Sequence, residues 1–167
     1  MDDYRAVAVN ELERLEEDLL YTEKAHFAAA EGLQRTHWIL GALATVTAAA
    51  TSVSVIADGA TWLSGSFALL AAVLSALLTF VKPDERAGQH LAAARILNDV
   101  RVQARQHREL DMHSSTSEQP EVWREYVETI RTGKRDADAS APAIGQRAFE
   151  KARKKIEGGD FAHAVDA

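Results

Sequence analysis

The chain has 167 residues, 26% of them charged, a formal net charge of -6 and no cysteine. That length suits one ordinary domain, and the lack of cysteine excludes a disulfide framework and thiolate chemistry, leaves the redox compartment open and restricts any metal site to histidine and carboxylates. Charge is segregated: residues 1–37 carry four Lys or Arg against nine Asp or Glu, and residues 82–167 carry fifteen of each sign, a balance with no basic face for nucleic acid.

Residues 5–36 contain no proline and Gly32 as their only glycine, with Ala8, Leu12, Leu15, Leu19, Ala29 and Leu33 recurring at intervals of three and four. This spacing predicts one amphipathic helix occupying the cytoplasmic segment 1–37. His26 lies on its apolar stripe, where a single histidine reads as a packed core residue, so it is assigned no chemistry.

Residues 38–57 hold no charged side chain, and after Asp58 none occurs until Lys82. About 20 helical residues at about 1.5 Å each match a bilayer core of about 30 Å. Two antiparallel spans are therefore expected, at 38–57 and 62–81, joined by a short turn of Asp58, Gly59, Ala60 and Thr61. Trp38 and Trp62 fall where amphipathic indoles anchor at the two interfaces, and Arg35, Lys82 and Arg86, with Lys24, flank the open ends while the turn has no Lys or Arg. By the positive-inside rule both termini are expected to be cytoplasmic, in a multi-pass membrane protein. The first apolar run follows about ten helical turns of charged sequence, unlike the short basic start of a cleaved signal peptide. A buried hairpin in a soluble protein is the competing reading, set aside because two successive uncharged runs of spanning length are rare in soluble cores.

At 100° per residue, Ser64, Ala68, Ala71, Ser75 and Thr79 share one face of the second span, opposite Leu70, Val73, Leu74, Leu77 and Val81. The first span carries a comparable seam of Gly41, Ala44, Ala48 and Thr51. Small residues let helices approach in hydrocarbon, so these stripes are expected to pack the hairpin and its oligomer contacts. The alternative places Ser64, Ser75 and Thr79 around an aqueous path after several hairpins assemble. No ionisable side chain lies inside either span, which argues against a proton relay or voltage sensor.

Beyond the second span, Pro83, Asp84 and Glu85 suit a helix start, and residues 87–109 continue without a breaker as the core of a cytoplasmic segment 82–110. His90, Ala93, Leu97, Val100 and Ala104 form one face, expected to pack on the amino-terminal helix as part of a four-helix antiparallel unit. His90 and His107 are 17 residues apart and lack zinc-ligand spacing, so no metal site is predicted. The remainder, 111–167, reads as short helices between polar linkers at 112–119 and 133–142, with Trp123, Val127 and Ile130 buried in one helix. A last helix carries Ala148, Phe149, Ala152 and Ile156 on one face beside basic Arg147, Lys151, Arg153, Lys154 and Lys155, ending at Gly158 and Gly159. That cluster suits anionic headgroups, a solvated face or a contact with the acidic amino-terminal helix.

No nucleophile with a base, phosphate loop or metal-ligand spacing occurs, so neither catalysis nor a cofactor is expected. The fold class expected is all-α, a membrane helical hairpin continuous with long cytoplasmic helices.

Two adjoining spans between a long amino-terminal helix and KPDERAGQHLAAARILNDVRVQARQH resemble the SLATT family of bacterial two-helix membrane proteins. The resemblance covers the chain from about Leu12 to the last helix, through the hairpin, Pro83, Glu85, His90, Ala93, Ala94 and Leu97, and the helix around Trp123 and Tyr126. It implies an effector of prokaryotic conflict systems that opens or disrupts the inner membrane, served by a nucleotidyltransferase or nucleotide-sensing partner. A homo-oligomeric pore in the lipid bilayer is the leading expectation. A membrane-tethered scaffold or receptor without conductance, or an accessory subunit of a larger complex, stands beside it.

Overall fold

Nothing in the first 56 residues breaks a helix: proline is absent, and Gly32 and Gly41 have open space where a side chain would sit. In the computed structural model, which describes residues 2–57, 60–113 and 119–160, they form one helix, α1 (Asp2–Ile56). It is followed by α2 (Thr61–Val81), α3 (Pro83–Gln106), a π-helical turn (His107–Asp111), α4 (Pro120–Ser140) and α5 (Gln146–Glu157). The described residues form an all-α fold and include two helices long and apolar enough to cross a membrane. Asp58 and Gly59 of the expected turn, and 114–118 of the first polar linker, lie outside the described residues.

Pro83 forces the break between α2 and α3. A residue before proline is pushed out of the right-handed helical region, and Lys82 adopts the left-handed one, at φ 46° and ψ 55°, which costs a non-glycine residue about 1–2 kcal/mol. Its N–H still donates to the Leu78 carbonyl at 3.1 Å, and its carbonyl accepts from the Arg86 N–H at 3.1 Å. Both helices thus terminate on the same residue.

The chain forms two compact units, Met1–Ala29 with Gln89–Ala167, and Ala30–Gly88. In the first, Ala8, Leu12, Leu15 and Leu19 of α1 join Leu97, Val100 and Ala104 of α3, Met112, and Trp123, Val127, Ile130 and Ala137 of α4 in one core. Ion pairs set the direction: Glu16 with Arg108 and Glu23 with Arg101 make this part of α1 antiparallel to α3. The expected packing of these two helices is present. Tyr21 and Phe149, with ring centroids 6.5 Å apart, place α5 beside α1.

Two expectations for the carboxy-terminal part need correction. The helix after Pro120 is 21 residues long, and most of the second linker, from Gly133 to Ser140, belongs to it. Gly133 is tolerated there because a Cβ would meet Val100 Cγ2 at 3.2 Å, so a side chain would crowd the approach of α3. Buried Ala137 and the Lys134–Asp138 pair at 3.0 Å support the continued helix.

Candidate functional site

Within Ala30–Gly88 the least exposed side chains of α1 include Leu33, His37, Leu40, Ala44, Thr47, Thr51 and Ser54, three and four apart. On α2 they include Ser64, Phe67, Ala71, Leu74 and Leu78. These seams differ from the small-residue stripes. Gly41, Ala44 and Thr51 are half-buried as candidates for close packing, but Ala48 is exposed and Thr47, 9% exposed, is the most covered residue of the first seam. Ser64 and Ala71 lie in the second seam, whereas Ala68, Ser75 and Thr79 are exposed. Leu74, assigned from the wheel to the opposite face, packs inward.

The rotation of the α2 seam has a physical cause. Phe67, Leu74 and Leu78 fill the space between two helices better than hydroxyls do, and dispersion rises with contacts made. Residue size alone pointed to the small face.

The outer surface is apolar. Ile39, Leu43, Val46, Val53, Val55 and Ile56 of α1 and Leu69, Leu70, Val73, Leu77, Phe80 and Val81 of α2 are exposed. Four hydroxyls on this surface are satisfied by their own helix: Thr45 donates to Gly41 O at 2.9 Å, Ser52 to Ala48 O at 3.2 Å, Ser66 to Trp62 O at 2.8 Å and Thr79 to Ser75 O at 3.0 Å. Such back-bonding lets a hydroxyl face an apolar medium without an unpaired donor. Trp38 and Trp62 are exposed, as are Arg35 and Arg86, and Lys82 pairs with Glu85 at 2.9 Å.

The other unit holds a polar cluster that sequence reasoning missed. Glu23, 1% exposed, bonds Arg101 Nε at 2.8 Å and Lys24 Nζ at 2.6 Å, and Arg101 also donates to Asn98 Oδ1 at 3.2 Å. One turn on, His26 and His90 meet, their Nδ1 atoms 2.8 Å apart and their rings tilted by 47°. Burial lowers the pKa of both, and their mutual repulsion lowers that of His26 further. His26 is thus buried as expected, but its partner is another histidine. The available signal was register: Glu23 and His26 continue the Leu12, Leu15, Leu19 stripe, and polar groups on such a stripe need a partner across the interface.

His107 lies elsewhere, stacked on Tyr126 at 4.2 Å and bonded to Asp111 at 2.6 Å. Among the described residues no group of three or more His, Asp or Glu is placed to hold a metal ion. On α5 the basic side chains Arg147, Lys151, Arg153, Lys154 and Lys155 are exposed, with Arg153 bonded to Glu157 at 2.8 Å. No family model, curated protein or solved structure matches the chain.

Proposed function

We propose that the chain is an integral membrane protein whose spans at 38–57 and 62–81 cross the inner membrane as an antiparallel hairpin, with both termini cytoplasmic. Its hairpins assemble into a homo-oligomer that opens a pore or disrupts the bilayer without catalysis. The observation that carries this reading is the apolar outer surface of α1 and α2, on which Thr45, Ser52, Ser66 and Thr79 already donate to backbone: such a surface suits lipid and would aggregate in water. Exposed Ala48, Ala68, Ser75 and Thr79 supply small positions at which a second hairpin can approach closely. A role as an effector of prokaryotic conflict, triggered by a sensor or by a nucleotide second messenger from a nucleotidyltransferase partner, rests on the resemblance to the SLATT family.

Reconstitution into dye-loaded liposomes tests the pore. Leakage on activation, weakened by Ser75→Leu or Thr79→Leu, supports it; a membrane that stays tight at every protein density and with every candidate trigger removes it. The scaffold reading draws support from the unit of α3, α4, α5 and the start of α1, which has its own core. Under that reading an unrelated two-span anchor in place of 38–81 preserves function, and under the pore reading it abolishes it.

A further inference from the structure

We propose that the His26–His90 pair is a proton-sensitive latch between α1 and α3: neutral, it ties the helices through one ring-to-ring hydrogen bond, and protonated on both rings it drives them apart. The two Nδ1 atoms are 2.8 Å apart, and only one hydrogen fits between them, donated by one ring and accepted by the other. A proton on both Nδ1 atoms leaves two donors facing each other and no acceptor. With His26 2% and His90 6% exposed, water cannot screen the resulting charges.

The neighbouring groups do not compensate. On α1, the Glu23 carboxylate is engaged by Lys24 and Arg101, the latter from α3. On α4, Asp138 favours the charged form of His26, but it is exposed and paired with Lys134 at 3.0 Å. On α5, Arg153 and Glu157 bind each other. Burial therefore dominates, and both rings sit below the ordinary histidine value.

The linkage has a definite sign. Rings freed by opening titrate near about 6.5, so the opened state binds more protons than the closed one as pH falls through that value. The latch is at full strength above about pH 7.5. Between about pH 7.5 and about pH 5.5 the opening constant rises, by at most about tenfold if opening takes up one proton and at most about a hundredfold if two. The inference concerns the unit around α3 and stands whether or not the hairpin conducts.

Hydrogen exchange on the full chain in nanodiscs, followed at the α3 amides of Ala93, Leu97 and Val100 and corrected for intrinsic rates, reads this constant. Wild type should exchange at least about threefold faster at about pH 5.5 than at about pH 7.5, and His26→Leu/His90→Leu should change less than about twofold. Unchanged wild-type exchange, or an equal rise in the double variant, overturns the latch. Should the double variant not fold, ring resonances of wild type decide: titration of both below about 6.5, tracking the α3 shifts, supports it, and titration at or above that value, or none at all, rejects it.

Discussion

In the unit built from α3, α4, α5 and the start of α1, leucines, alanines and Trp123 are buried, and the buried charge of Glu23 is paired with Arg101 and Lys24. In the unit of residues 30–88 the order is reversed: Thr47 and Ser64 are among the best-covered side chains, while Leu70, Val73 and Phe80 are exposed. Helical periodicity is the same in both. Under the proposed membrane reading, what differs is the solvent each surface matches, because apolar side chains outside a helix pair are stable only where the surroundings are apolar too.

Substitutions that break this contrast should differ in size and place. The largest effect is expected from Glu23→Leu, which leaves Arg101 partly buried without its carboxylate; loss of one partner of a buried pair costs about 3–5 kcal/mol. A lower denaturation midpoint for the α3 amides, with hairpin insertion untouched, is the expected result. Next is Val73→Lys, at an exposed position of α2, where a charge near the middle of a span costs about 2.5–3.5 kcal/mol on insertion scales. Membrane-inserted yield should drop while α3 exchange stays as in wild type; for a water-facing surface the same change would be neutral, and that result would break the contrast. Gly133→Leu should destabilise by about 1–3 kcal/mol through crowding at Val100, seen as a lowered melting temperature. Smallest is Thr79→Val, which removes a hydroxyl bonded only within its own helix and should shift thermal stability by less than about 0.5 kcal/mol.

The sequence made the helical stripes legible because their evidence is local. Leu12, Leu15 and Leu19, His90, Leu97 and Ala104, and Trp123, Val127 and Ile130 recur at helical spacing, and all are buried. What sequence left unread depends on pairs of helices. Gly133 looks like a breaker until Val100 stands 3.2 Å from its missing Cβ. Ser75 and Thr79 stay exposed, because the larger Phe67 and Leu74 take the seam within the helix pair. His26 and His90 are 64 residues apart in sequence, and only the antiparallel register of α1 and α3 brings their rings together.

The proposed transmembrane hairpin can be tested most directly by sidedness, which the cysteine-free chain makes simple. Single substitutions Ala60→Cys and Glu13→Cys, in protein reconstituted into sealed vesicles, would be labelled with a membrane-impermeant maleimide before and after permeabilisation. A hairpin that crosses twice predicts that, in vesicles of one orientation, one site labels only from outside and the other only after permeabilisation. Equal labelling of both sites from the same side, with the chain extracted by alkaline carbonate, would contradict it.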